Sequence, residues 1–142
     1  MSGFLLDTNV ISELVKPRPE PAVAHWVESV DQEILYLSVL TLGEIRKGIA
    51  SLHSTTRRAS LEAWLDADLV LRFAGRILVI DQDVADRWGQ LSAAAVIAKK
   101  QLPVIDGLLA ATAIQYNLTL VTRNTKDLIA TGIPLYNPWL AP

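Results

Sequence analysis

Three features of this 142-residue sequence predict an α/β protein, a three-layer α/β/α sandwich with a short central parallel sheet. Four or five short apolar runs lack polar alternation, as strands covered on both faces require. Between them lie stretches with apolar residues at three- and four-residue steps, and strands alternating with helices imply crossovers and a parallel sheet. The length suits one domain over 1–142, and no period of roughly 20–50 residues and no low-complexity tract divides it.

The elements follow in order. Phe4-Leu5-Leu6 is the first strand and runs into Asp7-Thr8-Asn9, with Asp7 reading as the N-cap of a helix from Thr8 to Val15. The cluster Lys16-Pro17-Arg18-Pro19-Glu20-Pro21 stops that helix, and Pro21 at a first helical position starts the next. Ile34 to Val39 is the second strand. A helix from Thr41 to Leu52 follows, carrying Leu42, Ile45, Ile49 and Leu52, with Glu44 in its first turn. Arg57 to Phe73 carries Leu61, Trp64, Leu65, Leu69 and Phe73 in the same way. Ile77 to Ile80 is the third strand and Val84 to Lys100 a helix. Asp106 opens a helix from Gly107 to Tyr116. Leu118 to Thr122 is the fourth strand and Pro134-Leu135-Tyr136 a weak fifth.

Composition excludes several kinds of chemistry. No cysteine is present, so a disulfide framework, a thiolate ligand and a thiol nucleophile are all absent. Two histidines, His25 and His53, argue against a zinc-type site. Mean hydropathy is high at +0.29, yet charges, Gly or Pro interrupt every apolar run before the ~18 residues a membrane span needs. The segment Met1 to Asp7 has no basic stretch and meets an acid after three apolar residues, so it does not read as a signal peptide. A cytoplasmic protein without membrane attachment is expected. The net charge of -2 has the wrong sign for a surface built mainly to grip nucleic acid.

Ligands of open parallel sheets bind beyond the carboxyl ends of the strands. Asp7, Glu44, Asp106 and Asn124 all fall at that edge, with Asp127 three residues after Asn124. Each has a structural reading as a helix cap, a first-turn acid or a turn residue. Together they say more. Three carboxylates converging among apolar neighbours repel and shift toward protonation. A hard, oxygen-preferring cation such as Mg²⁺ or Mn²⁺ removes that penalty. Such a cation acidifies water and stabilises charge on phosphoryl oxygens, so metal-dependent phosphodiester hydrolysis fits best. Neither histidine lies at a strand end to activate a serine, and neither GxxxxGK[ST] nor GxGxxG occurs. Two alternatives remain: an enzyme forming an aspartyl-phosphate on Asp7, although Asn9 stands where a second acid is usual, and a module that binds a partner without cutting. With Asp7, Glu44, Asp106 and Asp127 set aside, basic residues outnumber the remaining acids.

At these residues the chain resembles the PIN-domain ribonucleases, in particular the VapC and FitB-like toxins of bacterial type II toxin–antitoxin pairs. The motifs are Leu5-Leu6-Asp7-Thr8-Asn9-Val10-Ile11-Ser12-Glu13, Leu37-Ser38 with Gly43-Glu44-Ile45-Arg46-Lys47-Gly48, Asp106-Gly107-Leu108-Leu109-Ala110-Ala111-Thr112-Ala113, and Leu120-Val121-Thr122-Arg123-Asn124 with Asp127-Leu128. Phe73-Ala74-Gly75-Arg76-Ile77-Leu78 and Asn137-Pro138-Trp139 are FitB-like in addition. The resemblance implies a PIN-like sandwich and a Mg²⁺- or Mn²⁺-dependent endoribonuclease acting on RNA. It makes Asp7 and Asp106 the principal metal ligands, with Glu44 completing the acidic cluster and Thr122 positioning water or phosphate. Asn124 stands where many relatives carry aspartate. An amide there coordinates through oxygen without adding charge, which leaves one metal or two open and makes Asp127 a substitute ligand. The resemblance also implies a homodimer and a cognate antitoxin whose C-terminal segment covers the active site. Trp26, Trp64, Trp88 and Trp139 suit a groove for such a segment, although Trp64 and Trp88 read first as core packing. Arg46 and Lys47 are the basic residues best placed for phosphate, ahead of Arg57-Arg58 and Lys99-Lys100.

Overall fold

The computed structural model describes residues 2–140. Its elements are β1 (Gly3–Leu6), α1 (Thr8–Leu14), α2 (Pro21–Ser29), β2 (Leu35–Ser38), α3 (Val39–Ala50), α4 (Thr55–Ala63), α5 (Val70–Arg72), β3 (Ile77–Leu78), α6 (Gln82–Ile97), α7 (Val104–Gln115), β4 (Leu118–Val121) and β5 (Leu135–Tyr136). The strands form one parallel sheet in the order β3-β2-β1-β4-β5. The short apolar runs thus pair as expected, the weak fifth included. β1 is central, with Phe4 beside both Leu35 and Thr119 in register.

Alternate strand residues feed two cores, one on each face of the sheet. Leu6, Leu35, Leu37 and Val121 join Val10, Ile11, Val23, Val27, Ile45, Ile49, Leu65, Leu69 and Phe73 on one side. Leu5, Leu118 and Leu120 join Leu109, Ala110, Ala113, Leu128 and Ile133 on the other. The expected α/β/α sandwich is the result. β1 approaches β2 so closely that a Cβ on Gly3 would sit 2.9 Å from the carbonyl oxygen of Ile34. Among the described residues no helix is long and apolar enough to cross a membrane.

Several boundaries differ from the sequence reading. β2 is shorter than Ile34–Val39: Ile34 closes a 3₁₀ turn, and the Ser38 hydroxyl accepts from the amide of Leu40 to start α3 at Val39. Glu44 therefore lies in the second turn of α3 rather than the first. Pro103 precedes α7, which begins at Val104, so Asp106 sits inside the first turn instead of before it. α6 starts at Gln82 because the Asp81 carboxylate caps it, accepting from Val84 N at 2.9 Å. The expected Arg57–Phe73 helix runs from Thr55 to Arg72 through a π-helical turn, Trp64–Leu69. Leu61, Leu65, Leu69 and Phe73 are spaced by fours, and each such step drifts about 40° around a 3.6-residue helix. One wider turn takes up that drift and keeps the row facing the core.

Candidate active site

The carboxyl edge of the sheet is where the acids meet. Asp7 directly follows β1; its amide donates to the carbonyl of Val121 at 2.9 Å, which ties the end of β1 to the end of β4. Its side chain is buried and held from three directions. Oδ1 accepts from the amide of Thr8 at 2.7 Å, and Oδ2 accepts from the hydroxyl of Thr122 at 2.8 Å and, more distantly, from the amide group of Asn9 at 3.5 Å. Thr122, fully buried at the end of β4, is saturated. Its hydroxyl donates to Asp7 and accepts from Asn9 Nδ2 at 3.2 Å and from the backbone amide of Asn124 at 3.0 Å.

The other acids are held by single partners. The hydroxyl of Thr8, at the start of α1, donates to Glu44 Oε1 and stands 3.2 Å from the buried hydroxyl of Thr41. Asp106, half-buried on α7, accepts from Asn124 Nδ2 at 3.3 Å. Asp7, Thr8, Asn9, Ser12, Glu44, Asp106 and Asn124 line one open cleft of about 380 Å³. The structure thus brings together all four residues expected there. Asp127 is not among them. It is exposed and lines the adjoining groove beneath α6, and it caps no helix.

Electrostatics in the cleft are those of acids short of counter-charge. Burial raises the Asp7 carboxyl above its ordinary range; the donors Thr122 and Thr8 oppose this, and the charges of Asp106 and Glu44 add to it. Asp106 is raised by burial first and then by Asp127 and Glu44, with the Asn124 amide opposing. The ion pairs among the described residues, Lys16–Glu13, Arg46–Asp66 and Arg58–Glu62, all lie elsewhere. No three His, Cys, Asp or Glu side chains among the described residues stand close enough to enclose one ion, so the expected three-carboxylate cluster is not a closed cage. What remains fits Mg²⁺ or Mn²⁺, which take one or two carboxylates and keep much of their water.

Some expectations from sequence find different roles. Arg46, placed for phosphate, is instead paired with Asp66; Lys47 lines an apolar groove beside Glu44, along with Val39, Leu40 and Ile105. The tryptophans pack in separate places. Trp26 lies between Phe4 and Tyr136, each at 5.1 Å between ring centroids, Trp64 packs against the first core, and Trp139 carries Arg123 over its ring. Thr8, Asn9, Ser12 and Thr41 were not singled out by function. The signal available was adjacency, since Thr8 and Asn9 follow Asp7 at a strand end.

Comparison with known proteins agrees with this fold. The PIN domain family model matches residues 4–132. Toxin FitB of Neisseria gonorrhoeae is 40% identical over 136 residues, 96% of this chain and 98% of that protein. VapC ribonuclease Y4jK of Sinorhizobium fredii is 38% identical, over 96% and 97%. The crystal structure of FitAcB from Neisseria gonorrhoeae superposes with a TM-score of 0.94 at 39% identity, covering 97% of this chain and 99% of that one. With the family model matching residues 4–132 and a 40% identical relative matched over nearly the whole of both chains, the protein belongs to the PIN-domain family.

Proposed function

We propose that the chain is the toxin of a type II toxin–antitoxin pair, an endoribonuclease that hydrolyses RNA phosphodiester bonds with Mg²⁺ or Mn²⁺ in the cytoplasm. The observation that carries this reading is the cleft itself: Asp7, Glu44 and Asp106 share it, and among the described residues no side-chain cation pairs with any of them. The relatives named as a toxin and as a ribonuclease support the biological half.

Asp7 and Asp106 are the residues that would hold the cation, with Glu44 close enough to add charge or to bind its waters. A divalent cation supplies acidified water as nucleophile and offsets charge on the phosphoryl and leaving oxygens. The chain's own residues prepare for this. Thr122 and Asn9 fix the Asp7 rotamer before any ligand arrives, so little ordering remains to be done on binding. Thr8 orients Glu44, and the Asn124 amide orients Asp106 without adding a further negative charge. Protons on Asp7 and Asp106 compete with the cation, so affinity rises with pH. Exposed Lys47, beside Glu44, is the basic residue positioned to meet an RNA phosphate.

The same reading assigns a homodimer and an antitoxin whose C-terminal segment covers the cleft. Incubating the purified chain with labelled RNA tests the activity: cleavage with Mn²⁺ that EDTA stops is expected, and cleavage indifferent to EDTA contradicts it. Radiolabelled phosphate trapped on Asp7 would point instead to phosphotransfer. Inhibition of cleavage by the product of the neighbouring reading frame checks the partner.

A further inference from the structure

The acids of the cleft are not equally secured. Asp7 has three hydrogen-bond donors, whereas Asp106 has one side-chain donor, the Asn124 amide at 3.3 Å. The place of the Asp106 carboxylate therefore depends on where the first turn of α7 sits. That turn carries Gly107 immediately after Asp106, and its amide donates to the carbonyl of Pro103 at 2.8 Å.

Gly107 is buried against α6. A Cβ built on it would lie 3.0 Å from both Cδ1 and Nε1 of Trp88 and 3.3 Å from Cδ2 of Leu102. Glycine is a poor helix former, and here the absent methyl is what admits the indole. Trp88 Nε1 is sealed from solvent without a hydrogen-bond partner, the one buried side-chain nitrogen or oxygen so placed among the described residues. A sealed, unpaired donor is costly, so packing holds the indole there against that penalty. Of the sixteen residues of α6 only Val84 is buried, and Leu91 packs against the second core.

We propose that Trp88 is a positioning residue for the metal site. Its ring, seated on Gly107, sets the first turn of α7 and with it the distance of Asp106 from Asp7. This rests on the reading of the cleft as a divalent-cation site. A methyl on Gly107 pushes the turn or the ring by a few tenths of an ångström; a smaller side chain at 88 leaves the turn slack. Either change misplaces a ligand without touching one, and outer partners of metal ligands typically govern about 10–100-fold in affinity.

The test is the Mn²⁺ dissociation constant, measured by calorimetry well below the melting temperature, for wild type, Gly107→Ala, Trp88→Leu, the double variant and Trp88→Phe. Circular dichroism checks the fold of each. Each of the first two single variants should weaken Mn²⁺ at least about tenfold. The double variant, whose new methyl fills the space the indole leaves, should recover most of the loss. Trp88→Phe keeps one aromatic ring against Gly107 but loses the rest of the indole, so it should weaken Mn²⁺ less than Trp88→Leu does. Wild-type affinity in Gly107→Ala or Trp88→Leu, or a double variant no better than Gly107→Ala, overturns the inference. So does Mn²⁺ binding in Trp88→Phe that is weaker than in Trp88→Leu. If Gly107→Ala does not fold, Trp88→Leu and Trp88→Phe carry the test. A wild-type chain that binds no Mn²⁺ overturns the cation reading itself, a different outcome from wild-type binding that the variants share.

Discussion

Replacing Thr122 with valine keeps the shape of a fully buried side chain and removes one hydroxyl, so its cost reports the hydrogen bonds alone. The hydroxyl donates to the buried Asp7 carboxylate at 2.8 Å, a bond to a charged group that contributes about 1.5–3 kcal/mol. It also accepts from Asn9 Nδ2 and from the amide of Asn124, each worth about 1 kcal/mol or less because Asn9 retains Asp7 and Asn124 is only half-buried. The total is about 3–4 kcal/mol. At roughly 3–4 °C per kcal/mol for a domain of this size, the melting temperature should fall by about 10–15 °C. Thr122→Ser keeps the hydroxyl and loses one methyl, so it should cost only about 1 kcal/mol. Urea unfolding of the metal-free protein gives both values from the shift in midpoint at constant slope. A Thr122→Val variant within ~0.5 kcal/mol of wild type, or a serine variant as damaged as the valine one, would refute the claim that this hydroxyl organises the site.

Other perturbations follow from the same geometry. Asp7 and Asp106 have raised native pKa values, so the native state holds their protons more tightly than the unfolded chain; without metal, stability should fall as pH rises from the ordinary carboxylate range through the native values. Asp7→Asn should flatten that part of the pH–stability profile, and an unchanged profile would remove Asp7 as its source. Glu13, a buried residue near the end of α1, accepts from Lys16 Nζ at 2.9 Å and from the amide of Glu20 at 3.0 Å, and these bonds hold its carboxyl below the ordinary range. Its stabilisation is full above the ordinary carboxylate pKa and fades as pH falls through the lowered one, so Glu13→Gln should cost about 1–3 kcal/mol at neutral pH by chemical denaturation and less in acid. Gly3→Ala places a methyl against the Ile34 carbonyl and should cost about 1–3 kcal/mol, read from the same unfolding curves.

The sheet was legible because its strands are short, apolar and covered on both faces, and each site-bearing segment lies where an apolar run gives way to polar residues. Asp7 at the end of Phe4-Leu5-Leu6 is the plainest case. Helix starts were harder. Val39 and Leu40 look like more strand, and only the Ser38 hydroxyl turning onto the amide of Leu40 makes them helix. Pro103 was an available start signal for α7, and reading it would have put Asp106 in the first turn. The hydrogen bonds around the carboxylates were out of reach of any local pattern. Thr8 finds Glu44 across 36 residues and Thr122 finds Asp7 across 115. Arg46 follows Glu44 by two residues, yet its partner, Asp66, comes from the following helical segment.

The central claim is that Asp7 and Asp106 hold a divalent cation that makes this PIN domain cut RNA. The most direct measurement is cleavage of labelled RNA by wild type, Asp7→Asn and Asp106→Asn, with Mn²⁺ titrated from zero and the fold of each verified by circular dichroism. The account predicts cleavage by wild type that rises with Mn²⁺ and at least a hundredfold loss, about 2.7 kcal/mol in barrier, in both folded variants. Cleavage independent of Mn²⁺, or variants as fast as wild type, would contradict it.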